Sequence, residues 1–233
     1  MNKLNVSALF LISLFAIMSI NDYAQDCSGY YFLQNNKTIE RTIYDKDGKP
    51  KGKSVIKVSN VASAGNAVSA TINSQSFDKN GKAGATSTNT IKCADGMLMM
   101  DMKMNLPKGP QKQETSGSAE VSNFYIEYPA NLNVGDALKD ASFTMASNVS
   151  GMEQTTDMLT SNRKVVAKEA ITSAAGTWDC YKITFTSKVT TKMKTLNMNM
   201  PAVNIEGTEW FCPGFGIVKT ESKGGSTLIT SIQ

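Results

Sequence analysis

Gly176–Glu221 reads GTWDCYKITFTSKVTTKM, then a polar turn region, then VNIEGTEWFCPGFGIVKTE. This is the pattern of two long antiparallel strands with one cysteine on each. Placing Cys180 opposite Cys212 sets Tyr181 against Phe211, Phe185 against Gly207, Thr184 against Thr208 and Val189 against Val203. Cross-strand packing favours aromatic pairs, Thr–Thr pairs and an aromatic ring over a strand glycine. The parity agrees. Tyr181, Ile183, Phe185 and Val189 share one face, and Lys182, Thr184, Thr186, Lys188 and Thr190 share the other. One apolar face and one wet face mark an antiparallel sheet.

The same alternation recurs along the chain. Thr38–Tyr44 leads into the turn DKDGK (Asp45–Lys49) and out along Ser54–Val61. Ala67–Phe77 leads into DKNGK (Asp78–Lys82) and out along Ala85–Cys93. Asp-Gly and Asn-Gly supply the positive φ that tight hairpins need. A third turn, Lys223–Ser226, joins Gly216–Glu221 to Thr227–Ile232. Strands are also expected at Met97–Leu106, Val121–Tyr128, Ala141–Val149 and Thr155–Ala170. Asn105–Glu120 lacks periodicity and reads as a long loop, and Pro129–Asp140 as a connection with turn chemistry. No long amphipathic helix is present. The expectation is an all-β fold: one antiparallel sheet of about eleven or twelve strands curled into a half-barrel or open barrel.

Met1–Ala24 reads as a cleaved secretory signal, with Lys3 as the basic start and Ala8–Ile20 as an apolar run too short to span a bilayer. Ala24-Gln25-Asp26 before Cys27 is not the small apolar set of a lipid-attachment box. Residues 25–233 then form a single domain. The chain has 24 basic and 20 acidic residues, a net charge of +4. Loss of Lys3 and Asp22 with the signal leaves that balance unchanged. So small a charge, on scattered lysines, argues against nucleic acid as a partner.

The four cysteines all follow the signal, which in an exported chain reads as disulfides with three possible connectivities. The hairpin register favours Cys180–Cys212 and leaves Cys27–Cys93 by remainder. No two cysteines are close enough in sequence for a CxxC redox pair.

Histidine is absent. That excludes Ser–His–Asp and Cys–His catalysis and His-ligated zinc or haem. The sequence carries no P-loop, no GxGxxG after a strand, no GxSxG elbow and no carboxylate pair placed for glycoside hydrolysis. DKDG resembles the start of a calcium loop, but position 12 counted from Asp45 is Ile56, not glutamate. Gly214-Phe215-Gly216 has strand on both sides, so a bulge or bend accounts for it. No cofactor and no enzymatic activity are expected.

Two features remain as candidates. The 13 methionines bunch in Met97–Met104 and Met193–Met200. Leu98, Met100, Met102 and Met104 alternate onto one face. Such methionines fill irregular cores, line pockets with loose ligand demands, or bind Cu(I) through their thioethers. Glu209 shares the apolar face with Tyr181, Ile183 and Phe211. A carboxylate there is costly unless paired, and such groups concentrate at functional sites. It either lies at the open end of the curled sheet or pairs with a lysine or Arg163.

GTWDCYKITF, then EW followed by GFGIVKTE, together with YPANLNVGD and SNRKV, resemble the TapB-like family of exported bacterial proteins (domain of unknown function 3108-like). The turns DKDGK and DKNGK and the cysteine strand before MLMMDM fit the same pattern, so the resemblance covers roughly Cys27–Ile232. It implies an exported, envelope-located β protein of the Bacteroidota type, with a shape like the open barrel of lipoprotein carriers. It brings no catalytic residues. The functional expectation is a non-catalytic binding module for an apolar or lipid-like ligand, held by Met100, Met102, Met104, Tyr181, Phe185, Glu209 and Phe211. The alternative is a structural protein that binds another exported protein of the envelope, through a sheet edge or through Asn105–Glu120.

Overall fold

Aspartate-led turns start the sheet. In a computed structural model, which describes residues 27–102, 125–149 and 152–233, β1 (Thr38–Tyr44) turns through Asp45–Lys49 into β2 (Pro50–Ala64). Asp45 Oδ1 accepts the backbone N–H groups of Asp47 and Lys49, and Gly48 sits at φ +74°. The turn between β3 (Ala67–Asp78) and β4 (Ala83–Ala94) repeats this arrangement, with Asp78 Oδ1 accepting from Asn80 and Lys82 and Gly81 at φ +81°. Each carboxylate satisfies donors that the reversal takes out of the ladder, and glycine supplies the left-handed backbone.

The sheet continues through β5 (Met97–Asp101), β6 (Tyr125–Tyr128), β7 (Ala141–Val149), β8 (Met152–Ser173) and β9 (Gly176–Met193). The two-residue β10 (Met198–Asn199), β11 (Val203–Cys212), β12 (Gly216–Ser222) and β13 (Gly225–Ile232) complete it. The order across the sheet is β6-β5-β4-β3-β2-β1-β13-β12-β11-β9-β8-β7, with β10 pairing the end of β9. All ladders are antiparallel. The sheet is nearly closed into a barrel, and its two free edges, β6 and β7, meet at a seam without forming a ladder.

The expected register holds. Tyr181 faces Phe211, Thr184 faces Thr208, Phe185 faces Gly207 and Val189 faces Val203. Phe185 covers Gly207 so closely that a Cβ there would lie 2.4 Å from Cζ of the ring. Both disulfides, Cys27–Cys93 and Cys180–Cys212, are formed. The strands run longer than the sequence suggests, β8 above all, because the hairpin ends keep pairing where side-chain alternation fades. The expected signal at 1–24, Met104 and the loop at 105–120 lie outside the described residues.

The core lines the concave face. Ile39, Ile56, Ile72, Ile91, Leu98, Ile183 and Ile229 come from seven strands and are buried. One end of the barrel is plugged by two 3-10 turns, Cys27–Gly29 and Tyr31–Leu33. Cys27 is bonded to β4, the Tyr31 N–H donates to the Gly214 carbonyl, and the Phe32 ring packs edge-on to Phe215. The plug therefore ties two walls of the barrel together. The opposite end carries the Asp45 and Asp78 turns and the link from β9 to β11.

Candidate functional site

Among the described residues, a buried charged cluster is built by an irregularity in β8. The β8–β9 register shifts between Ser161 and Lys164 and again between Val165 and Ala167, with Asn162 at φ +54°. Bulges of this kind re-aim side chains, and here Arg163 turns inward. Its Nη2 lies 3.4 Å from Glu209 Oε1, and both side chains are buried. Its Nη1 donates to the carbonyls of Glu127 (3.1 Å) and Lys139 (3.0 Å). The guanidinium stands 4.9 Å from the Tyr128 ring centroid. Tyr128 Oη donates to Glu209 Oε2 at 2.9 Å, and its ring stacks on Phe211 at 4.6 Å.

This cluster closes the seam. Glu127 belongs to β6, Lys139 leads into β7, and one planar guanidinium holds both to β8 and β11. Lys139 Nζ also reaches Glu127 Oε1 at 3.1 Å on the outside. Glu209 thus takes the paired option, with Arg163 as its partner.

Burial pushes the Glu209 carboxyl above the usual range, while Arg163 and the Tyr128 hydroxyl pull it back down. Burial, and then the Glu209 charge, push the Tyr128 phenol well up. A carboxyl whose folded pKa is raised contributes stability below its unfolded pKa and loses it as pH rises through the folded value. The stability difference between wild type and Glu209→Gln should therefore be most favourable to wild type near about pH 4 and shrink toward neutrality. Urea melts at a series of pH values check this.

The other predicted ligand contacts part company. Met100, Met102 and Phe211 are buried in the packed core, at 6%, 0% and 0% exposure, which leaves a ligand no surface to touch. Tyr181 is half-buried with Lys168 Nζ 5.4 Å over its ring, and Phe185 covers Gly207 and also lines a polar groove. The structure gathers a different set. Among the described residues, four of the seven exposed large apolar side chains, Leu196, Met198, Met200 and Val203, fall in the short link from β9 to β11 and at the first residue of β11. Met198 pairs with Met193, Val203 pairs with Val189, and the Met200 N–H donates to Thr191 O. Directly opposed residues, and residues two apart on a strand, share a face. Met193, Met198, Met200, Val189 and Val203 therefore continue the concave face of Ile183. Met145 on β7, opposite Thr156 on β8, extends it sideways. The result is a methionine- and valine-rich strip, interrupted by the bonded hydroxyl pairs Thr160–Ser187 and Thr156–Thr191, that opens at the unplugged end.

Two cavities lie elsewhere. A groove of about 610 Å³ is lined by Thr184, Thr186, Thr208, Glu206, Glu221 and Lys223, among others, and its polar walls suit no apolar ligand. A smaller one of about 310 Å³ sits between β2, β3, β4 and β5, lined by alanines, Val68 and Met99. Among the described residues no group of three or more Cys, Asp or Glu is placed to hold a metal ion, and no helix is long and apolar enough to cross a membrane.

Residues 34–232 match one family across nearly the whole described sheet. The chain belongs to the DUF3108-like family. No curated protein matches it. Two solved structures share the fold of this DUF3108-like chain. One is a candidate exported protein with a YmcC-like fold from Bacteroides fragilis, with a TM-score of 0.65 at 20% identity over 86% of this chain and 96% of that one. The other is a candidate lipoprotein from Parabacteroides distasonis, with a TM-score of 0.68 at 21% identity and the same coverage.

Sequence reasoning named Arg163 only as one possible partner of Glu209 and did not single out Tyr128 or Arg41. One signal was available for the arginines. Only two of the 24 basic residues are arginine, and both lie on inward-facing positions of the sheet.

Proposed function

We propose that this member of the DUF3108-like family is an exported, non-catalytic binding module of the cell envelope that takes an apolar or lipid-like ligand on its Met-lined strip. The observation that carries this reading is the concentration of exposed apolar side chains at the unplugged end, on the concave face. Soluble proteins rarely leave such side chains contiguous without a use, and methionine adapts to ligands of varied shape. Export is supported by two disulfides, by the apolar leader at Met1–Ala24 and by fold relatives that are candidate exported and lipid-linked proteins.

Native mass spectrometry of the full chain, purified from an envelope extract, should reveal a lipid-sized adduct. Binding of a fluorescent long-chain fatty acid should weaken about tenfold or more, roughly 1.4 kcal/mol, when Met193, Met198 and Met200 are replaced by serine. A ligand-free protein with the same probe affinity before and after these changes would sink the reading. A photo-crosslinker at position 198 that captured one envelope protein and no lipid would move the assignment to a protein partner.

A further inference from the structure

The second arginine sits where the first one's logic is missing. Arg41 lies on β1 between Ile39 and Ile43, facing Ile229 on β13 and Ser54 on β2. Ile39 and Ile229 are fully buried, so the register aims Arg41 at the concave face. Its Nε, like that of Arg163, is sealed from solvent and has no hydrogen-bond partner among the described residues; unlike Arg163, it has no ion pair or carbonyl contact among them either. No described carboxylate pairs with it, and burial alone lowers its pKa, to about 10. The residue as a whole is half-buried. Hydroxyls share its wall: Ser54 faces Ser76, and Ser74 and Ser87 are bonded at 2.8 Å. β13, which carries Ile229, also comes close to β8. Arg41 and the apolar strip thus belong to one concave face.

An inward, desolvated guanidinium is costly without an anion. Arg163 meets that cost with Glu209 and two carbonyls, and Arg41 has no such set. Arginine is the side chain suited to this task. Its weakly hydrated planar fork matches the two oxygens of a carboxylate or phosphate, whereas lysine binds as a strongly hydrated point charge.

We propose that Arg41 is an anion receptor inside the barrel, and that the ligand is an amphiphile whose carboxylate or phosphate head lies on Arg41 while its apolar part lies on the methionine strip. This rests on the binding-module reading for the apolar part only.

The test is calorimetric titration of the full chain with hexadecanoate, hexadecanol, acetate and inorganic phosphate, repeated on Arg41→Gln and Arg41→Lys. Wild type should bind hexadecanoate at least about tenfold more tightly than hexadecanol, and Arg41→Gln should bring that ratio close to one without weakening hexadecanol. Arg41→Lys should fall between them. Removing an unpaired inward cation should leave the melting curve of Arg41→Gln unchanged or shifted upward, which verifies that the variant is folded. Phosphate or acetate bound with Arg41-dependent affinity, but no amphiphile, would keep the receptor, assign it to free anions and sink the binding-module reading. Amphiphiles bound with a head-group preference that Arg41→Gln leaves intact, or no anion bound at all, would overturn the inference.

Discussion

Arg163→Met is expected to destabilise the protein by about 3–5 kcal/mol, the cost typical of removing one partner from a buried ion pair. Glu209 would be left inside the barrel without its counter-charge, and the carbonyls of Glu127 and Lys139 would lose their donor. Protonation caps the loss. The Glu209 carboxyl already sits above its usual range, so the variant can shed the stranded charge by binding a proton. The double change Arg163→Met with Glu209→Gln should recover a large part of the stability. Urea midpoints of the four proteins make the cycle. Amide exchange at Tyr125–Tyr128 should accelerate in Arg163→Met, because that short strand has a ladder on one edge only. A loss below about 1 kcal/mol, with β6 exchange unchanged, would mean that the seam is held by something other than this guanidinium.

Replacing Cys27 and Cys93 together by serine should cost about 4 kcal/mol on the chain-entropy account, since their bond closes a loop of 66 residues. The enthalpic side points the same way. The bond anchors a plug whose Tyr30, Phe32 and Leu33 are buried, and no α-helix or strand of its own holds that plug in place. The variant should release the plug before the sheet melts. A thermal scan that monitors the Tyr31–Phe215 contact, stacked at 5.2 Å, would show an early transition absent from wild type. A single transition at the wild-type temperature would show that the plug needs no tether.

The sheet was legible because its signals are local. Asp45 and Asp78 act within four residues of themselves, and the Cys180–Cys212 register is fixed by the four pairings Tyr181–Phe211, Thr184–Thr208, Phe185–Gly207 and Val189–Val203 on one pair of strands. The site was less legible because its partners are distant. Tyr128 and Glu209 lie 81 residues apart, and Arg163 joins them only because the β8 bulge turns it inward. Alternation predicts parity along an unbroken ladder, and a bulge resets it. The methionines show the same limit. Met100 and Met198 carry identical chemistry on strands of similar pattern, but one is core and the other is open surface. Which it becomes depends on how far the neighbouring strands extend, and that is a property of the assembled sheet. Arg41 left a trace only in usage, as a rare arginine in a lysine-rich chain.

The pairing of β1 with β13 has a further consequence. It splices residues near 40 to residues near 230, in the middle of the sheet order, whereas every other ladder joins neighbours in the chain or nearly so. Two meanders, one on either side, can zip up early from nearby segments. Their joining must wait until β13 has emerged, and loop closure over the whole span from β1 to β13 makes it the slowest pairing to find. Until then each half shows a bare strand edge to whatever is near, so a nascent chain of this kind depends on being kept apart from its sisters.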